Sequence, residues 1–270
     1  MKTVLITGAS GKIGTALRQF FQGKYHLRLL DLKPIANRRS DEVEFLVNLE
    51  DLDAVTGATV GADAIIHLGG VSKEEGWDAI LPANIVGTFN VYEAARRSGV
   101  KRIVYASSSH TVGFYRRDEP ITVSSAVRPD GRYGLSKAFG EGLARLYWDK
   151  YGVESLCLRI GAMTDKPLDV RRLGLWISPR DLAQLVELGI ELPNLEFEIV
   201  FGISENARSS LDNSNAKRLG YRPQDRSEDY AEDVMRREPV WPVGDKAQML
   251  LGGPYATAEF IGDPTKPMGV

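Results

Sequence analysis

The sequence predicts an α/β protein, a doubly wound parallel sheet with a smaller C-terminal portion. Three observations carry this. Short runs rich in β-branched residues recur along the chain, most of them are apolar at consecutive positions, and amphipathic helical patterns lie between them. Strands buried on both faces read as continuous apolar runs, and regular strand–helix alternation builds a parallel sheet covered by helices on both sides.

The strands are expected at Thr3–Thr7, Leu27–Asp31, Glu44–Val47, Ala64–Leu68, Arg102–Ala106, Ser155–Ile160 and Glu198–Phe201. The first helix, Gly11–Gln22, opens after a glycine turn and carries Ile13, Leu17, Phe20 and Phe21 on one face. Ala83–Arg97 carries Ile85, Phe89, Val91, Tyr92 and Ala95, and Tyr133–Tyr151 carries Leu135, Phe139, Leu143, Leu146 and Tyr147. Past about residue 161 the pattern weakens. Helices are expected at Asp181–Leu192 and Asn213–Leu219, the latter ended by Gly220. From Glu238 onward prolines and glycines accumulate, so an extended tail that lies on a surface is expected.

Composition narrows the function classes. The chain has 270 residues, 43% hydrophobic and 26% charged, which argues against disorder throughout. Lys+Arg 34 against Asp+Glu 36 gives a net charge of -2, so no strong basic field draws nucleic acid or anionic lipid. Apolar runs are far shorter than the ~20 residues of a spanning helix. Met1–Ile6 lacks the apolar core and cleavage site of a signal peptide. One cysteine, Cys157, makes an internal disulfide impossible, and no His/Cys/Asp cluster suggests a metal. A cytoplasmic setting without nucleic-acid or membrane partners is the expectation.

The strongest motif is Thr7-Gly8-Ala9-Ser10-Gly11-Lys12-Ile13-Gly14, between the first strand and its helix. Gly8 permits the tight turn, Gly11 lets backbone approach a pyrophosphate, and Gly14 permits close helix packing. The helix N-terminus, with Ser10, Lys12 and Ile13 around it, offers unpaired N–H groups to phosphates. Asp31 ends the next strand, where a carboxylate accepts the adenosine ribose hydroxyls and repels a 2′-phosphate. This is the Rossmann pattern in its full context, and it favours NAD over NADP. Asn48 and Leu49 follow the third strand and are placed near the adenine. Leu68 and Gly69, at the end of the fourth, lie where the cofactor must pass.

Tyr133 and Lys137 stand four apart, on one helical face. A phenol with an ordinary pKa near ~10 is a poor base at neutral pH, and a nearby ammonium and a cationic nicotinamide favour the phenolate. The fifth strand ends in Ser107-Ser108-Ser109-His110, hydroxyls at the carboxyl end of a parallel sheet, where ligands bind. His110 stands past the strand end as a polar site residue, whereas His67 lies within a strand and reads as a core histidine.

These residues carry a resemblance. Through the glycine turn, His67-Leu68-Gly69-Gly70 and Tyr133-x-x-x-Lys137 the chain resembles extended short-chain dehydrogenases/reductases of the NAD-dependent epimerase/dehydratase family. Within them it looks most like bacterial uronate dehydrogenases. The specific stretches are Ile66-His67-Leu68-Gly69-Gly70-Val71-Ser72, Ala106-Ser107-Ser108-Ser109-His110-Thr111-Val112-Gly113, Arg128-Pro129-Asp130-Gly131-Arg132-Tyr133, Arg159-Ile160-Gly161 and Trp176-Ile177-Ser178. At Glu198–Ser204 it also resembles haloarchaeal glucose-6-phosphate dehydrogenases.

The resemblance implies that Tyr133 is the base, Lys137 its electrostatic partner and Ser108 the hydroxyl that positions the reacting oxygen. It implies that Ser72 and His110 contact sugar hydroxyls and that Arg171 holds the substrate's anionic group. Three positions depart from the family. Ser109 replaces an asparagine, Ala162 replaces a serine, and Arg172 adds a cation beside Arg171. The reading is one domain, 1–270, with 1–160 mainly the NAD-binding core and 161–270 mainly the substrate-binding portion and tail. The expected reaction is NAD-dependent oxidation of the C1 hydroxyl of an acidic hexose, such as glucuronate or galacturonate, to the aldonolactone. Two arginines leave a sulfonated or phosphorylated hexose (sulfoquinovose or glucose 6-phosphate) as the alternative. A sugar-nucleotide epimerase and a non-catalytic NAD-sensing regulator rank lower. By analogy a homo-oligomer, a dimer or higher, is expected.

Overall fold

The structure is a computed structural model that describes residues 1–239, 241–242 and 244–262. Its centre is a seven-stranded sheet made of β1 (Thr3–Thr7), β2 (His26–Asp31), β3 (Val43–Leu46), β4 (Ala64–His67), β5 (Arg102–Ser108), β6 (Glu154–Ile160) and β9 (Phe197–Gly202). The spatial order is β3-β2-β1-β4-β5-β6-β9, and every neighbouring pair is parallel. The chain winds outward from β1 in one direction, then restarts on its other side with β4. That reversal opens a crevice beyond the carboxyl ends of β1 and β4, where ligands of such sheets bind. A pair of two-residue strands, β7 (Ala162–Met163) and β8 (Trp176–Ile177), forms a small second sheet beside the main one.

Side-chain alternation divides the core into two layers. Val4, Ile6, Leu27, Leu29 and Leu158 pack on Leu17 of α1 (Lys12–Phe20), on Phe21 just past it, and on Leu182, Leu185 and Val186 of α7 (Pro179–Glu191). Leu5, Ile65, Ile103, Tyr105 and Cys157 face the other way. They meet Val55 of α2 (Leu52–Thr59), Val91 and Tyr92 of α4 (Gly87–Ser98), and Leu143 and Tyr147 of α5 (Arg132–Tyr151). Between β4 and α4 come α3 (Trp77–Ile80) and a wide π-helical turn, Leu81–Val86.

Several elements differ from the sequence reading, among them α2, α7 and the pair α4 and α5. Helix α2 is absent from it: with Gly57 and the β-branched Val55, Thr56 and Thr59 the segment has weak helical periodicity, and the cap of Asp51 on Ala54 N–H (3.0 Å) sets its start. Helix α7 begins two residues early, because Ser178 caps Asp181 N–H and Pro179 fits the first turn. The apolar faces of α4 and α5 are double. Val91, Tyr92, Leu143 and Tyr147 are buried, but Phe89, Leu135, Phe139 and Leu146 are 38–49% exposed on a second stripe.

After β9 the chain forms α8 (Ser214–Arg218) and α9 (Ala231–Arg237). The C-terminal segment then lies on the body, as expected, but with two short helices, α10 (Lys246–Met249) and α11 (Pro254–Thr257). Leu251 N–H bonds Tyr115 O and Gly252 N–H bonds Gly113 O, both at 2.9 Å, and Leu250, Leu251 and Ala256 are buried. The part of the expected tail at residues 263–270 lies outside the described residues. Among the described residues no helix is long and apolar enough to cross a membrane.

Candidate active site

One cavity of about 650 Å³ fills the crevice and runs from Gly8 to Arg171 and Arg172. Its first half is made largely of backbone. Gly8 has φ +68°, and a Cβ there would stand 2.8 Å from Gly69 N, so the β1 turn and the β4 loop touch with nothing between them. A Cβ on Gly14 would stand 2.7 Å from Ala9, which ties the start of α1 to the turn. Ser10, Gly11, Lys12 and Ile13 line the cavity at the N-terminus of α1. Asp31 lines it too, holding the turn by accepting Ser10 N–H at 2.9 Å. Leu49 is buried between Gly69 and Gly87, neither of which has room for a Cβ. Asn48 is exposed and bonds Glu50. Leu68 and Gly69 line the passage, as the sequence reading places them.

The middle of the cavity holds the titratable pair. Tyr133 and Lys137 stand at the start of α5, both buried, with Lys137 Nζ 5.7 Å from the Tyr133 ring and 5.2 Å from the Tyr105 ring. Burial pushes the Tyr133 phenol up to about 12, despite a hydrogen bond to Ser108 that favours the phenolate. Burial lowers the Lys137 ammonium to about 8, so it still carries its charge at neutral pH. In the protein without cofactor the phenol is thus protonated at neutral pH, in keeping with an expectation that asks both the ammonium and a cationic nicotinamide to favour the phenolate. Cationic charge from a bound ring is what the geometry leaves to be added.

Several residues that hold this pair carry no motif. Glu74, in the loop after β4, accepts Arg132 N–H and Tyr133 N–H, each at 2.9 Å, and so caps α5 at the tyrosine itself. Gly131 makes room for that carboxylate, since a Cβ would lie 2.3 Å from it. Asn84, in the π-helical turn, clasps Val71 by both backbone groups (2.7 and 3.0 Å) and donates to Ser136 (2.9 Å), tying the β4 loop to α5. Beneath α5, Glu141 and Arg159 form a buried two-bond pair (2.9 and 2.8 Å) that also accepts from Ser107 at 2.6 Å. Breaking such a pair costs about 3–5 kcal/mol.

At the far end the walls are polar side chains. Ser72 is exposed on the rim, and Ser108 and Ser109 are buried at the end of β5. His110 Nδ1 meets Asp130 Oδ2 at 2.6 Å, and the Asp130 carboxyl is wholly buried. In a neutral imidazole, a carboxylate at Nδ1 fixes the proton there and leaves Nε2 as acceptor. Tyr255 of α11 stacks on His110 (4.4 Å, 19°) and lies edge-on to Tyr133 at 6.3 Å. Nothing in the sequence pattern marks Tyr255, which is brought in by the C-terminal segment. Arg171 and Arg172 stand at the start of α6 (Val170–Leu175). Arg171 Nη1 bonds Leu251 O at 2.8 Å, whereas Arg172 pairs with Asp169, which also caps the helix at Arg172 N–H. Ala162 lines the cavity and adds no polar atom. His67 is a core residue, held by Thr7 (2.7 Å) and Thr88 (3.1 Å), and burial keeps it neutral.

A glycine cradle at a helix N-terminus, a carboxylate at the end of the second strand and a buried tyrosine–lysine pair at the carboxyl end of a parallel sheet define a dinucleotide-binding protein of the tyrosine–lysine type. The chain belongs to the NAD dependent epimerase/dehydratase family, whose profile matches residues 4–164. It is 44% identical to the uronate dehydrogenase of Pseudomonas putida over 94% of this chain and 96% of that one. Its fold superposes with TM-score 0.92 on the uronate dehydrogenase of Agrobacterium tumefaciens complexed with NAD, at 39% identity over 95% of this chain and 97% of that one. The glucuronic acid dehydrogenase of Chromohalobacter salexigens gives TM-score 0.92 at 40% identity, over 95% and 97% of the two chains. NAD is the cofactor, and the cavity fits it, since Gly8, Ser10, Gly11 and Lys12 line it around the N-terminus of α1 with Asp31 beside them.

Proposed function

We propose that the chain oxidises the C1 hydroxyl of a cyclic hexuronate to the aldonolactone. The observation that carries this is a single cavity joining the glycine cradle, Tyr133, Lys137 and Ser108, and then Arg171. NAD supplies the hydride acceptor when bound. The Ser108 hydroxyl orients the C1 hydroxyl, and Tyr133 Oη takes its proton as the C1 hydride departs and the C1–O double bond forms. Lys137 lowers the cost of the phenolate through its charge. His110 Nε2 accepts from a sugar hydroxyl, with Ser72 and Ser109 on the same wall. Arg171 grips the carboxylate with charge-assisted hydrogen bonds.

The structure bears on the choice of anion. Arg172 lines the cavity but is engaged by Asp169, so of the two arginines it is Arg171 that has no carboxylate within bonding distance among the described residues. One guanidinium suits one carboxylate, and this favours a uronate over a sulfonate or phosphate. Two charge-assisted bonds at about 1.5–3 kcal/mol each support 10²-fold or greater discrimination. NAD reduction by wild type should therefore be strong with glucuronate or galacturonate and weak with glucose or galactose. Arg171→Ala should lose the acidic substrates selectively. Equal turnover of neutral and acidic sugars by wild type would sink the reading.

The exposed stripe of Phe89, Leu135, Phe139 and Leu146 supports a second copy of the chain as partner. A monomeric sedimentation coefficient at micromolar concentration would remove that partner. A cytoplasmic setting is in keeping with a lone, buried Cys157, and an active enzyme recovered from an oxidising compartment would speak against it.

A further inference from the structure

Behind the sugar end of the main cavity lies a second one, of about 380 Å³, with Arg171 and Leu175 in the partition between the two. Four guanidiniums, from Arg116, Arg117, Arg171 and Arg208, line it against one carboxylate, Asp118. Two of the four are neutralised nearby. Arg116 pairs with Asp118 at 2.8 Å and Arg208 with Glu228 at 2.9 Å. The other two are not. Arg117 Nη1 donates to Gln248 O (2.9 Å) and Gln248 Oε1 (3.2 Å), and Arg171 Nη1 donates to Leu251 O. Those are uncharged acceptors, and among the described residues neither guanidinium has a carboxylate within 4.0 Å. Asp169 and Glu238 act on Arg117 only from a distance, and Asp169 is already committed to Arg172.

Burial lowers the pKa of both groups, and Arg171 is further opposed by Arg172 and Arg117, with Asp169 and Asp130 offsetting part of this from beyond bonding distance. Two half-buried like charges facing one cavity are costly, and the cost is removed by a ligand that brings two negative charges. Guanidiniums suit planar carboxylates and phosphate oxygens in particular.

We propose that the second cavity binds a small dianion of carboxylate or phosphate chemistry between Arg117 and Arg171, and that its occupancy weakens the hold of the main cavity on an anionic sugar. The binding half stands on the cavity and its unpaired cations. The coupling half rests on the role proposed above for Arg171, whose charge the two cavities share. Two sources supply such a ligand: inorganic phosphate, and the six-carbon dicarboxylate that forms when water opens the lactone of a hexuronate.

Thermal unfolding of the full chain, with and without inorganic phosphate or galactarate and at constant ionic strength, tests the first half. Wild type should gain a few degrees in Tm with at least one of the two, and the effective one identifies the source. Arg117→Gln should lose the gain while its Tm without anion is not lowered, since it removes an unpaired charge. No gain in wild type, or an equal gain in Arg117→Gln, overturns the site. For the second half, the effective anion should raise KM for a hexuronate about threefold or more in wild type with kcat nearly unchanged, and leave KM of Arg117→Gln alone. An unchanged wild-type KM overturns the coupling. A wild type that oxidises no acidic sugar refutes the proposed function, while the Tm comparison still decides the site.

Discussion

The two ends of the main cavity are built from different materials. The cofactor end is backbone: Gly8, Gly11, Gly14 and Gly69 let strand ends and a helix terminus approach one another, and one carboxylate, Asp31, projects into it. The sugar end is side chains, with Ser108, His110 and Arg171 backed by Asp130 and Tyr255. A backbone site is specified by the absence of Cβ atoms over a few adjacent residues. A side-chain site needs each group held by another, and those holders come from anywhere in the chain. The cofactor end therefore tolerates little variation in shape, whereas the sugar end can be retuned by changing supports that touch no ligand.

The largest effect should come where the two ends meet. Tyr133→Phe keeps the ring against His110 and Tyr255 but removes the proton acceptor. Turnover should fall by about 10²–10⁴ or more while NAD affinity, which rests on the backbone end, changes little. Stopped-flow turnover beside NAD titration calorimetry reads both. A variant that loses NAD binding in proportion to rate would break the division between the ends.

Next in size is the cost of Lys137. Its pKa falls from 10.5 unfolded to about 8 in the folded protein because it is buried. Below pH 8 both states carry the proton and the folded state bears the full burial cost. Between about pH 8 and 10 the unfolded chain keeps its proton while the folded one releases it, so stability rises with pH, by up to about 3 kcal/mol for a shift of this size. Urea unfolding without cofactor should show that rise in wild type and a flatter profile in Lys137→Met. Identical slopes would mean the ammonium is not desolvated.

The same contrast explains what could be read from the sequence. Most of the main-sheet strands were legible because both faces of the sheet are covered there (the edge strand β3, with Val43 and Leu46 exposed, is the exception), and the glycine turn because its signal is local. Tyr133 and Lys137 share one helical turn. Glu74, Asn84 and Tyr255 were not legible, since each acts across a long chain separation and none belongs to a periodic pattern. Periodicity also failed to separate the two apolar faces of α4 and α5. It reports that a side chain is apolar, and Phe139 and Leu143 differ only in what lies opposite them.

Asp31 tests the cofactor end at its carboxylate. It accepts Ser10 N–H as well as lining the cavity, so Asp31→Ala removes a ribose acceptor and the repulsion of a 2′-phosphate together. The preference for NAD over NADP should narrow by about tenfold, or 1.4 kcal/mol. Comparable kcat/KM for the two cofactors in wild type would show that the carboxylate does not choose.

The smallest effect is expected at Arg172, and it sharpens the account of the sugar end. Arg171 and Arg172 are adjacent and line one cavity, yet they are held differently. Arg171 donates to a carbonyl, Leu251 O, and among the described residues has no carboxylate within bonding distance, whereas Arg172 faces the carboxylate of Asp169. An ion pair at this exposure (32% and 31%) already cancels most of the field a ligand would feel, and holding it contributes about 0–1 kcal/mol to stability. Arg172→Met should therefore leave the ratio of kcat/KM for a uronate over a phosphorylated hexose within about twofold of wild type. Asp169→Asn supplies the converse. It releases Arg172 without removing it, so the ratio should move toward the doubly charged substrate. If Arg172→Met alone shifts the ratio tenfold toward carboxylate, Arg172 reaches the ligand despite Asp169, and the sugar end is a two-arginine clamp.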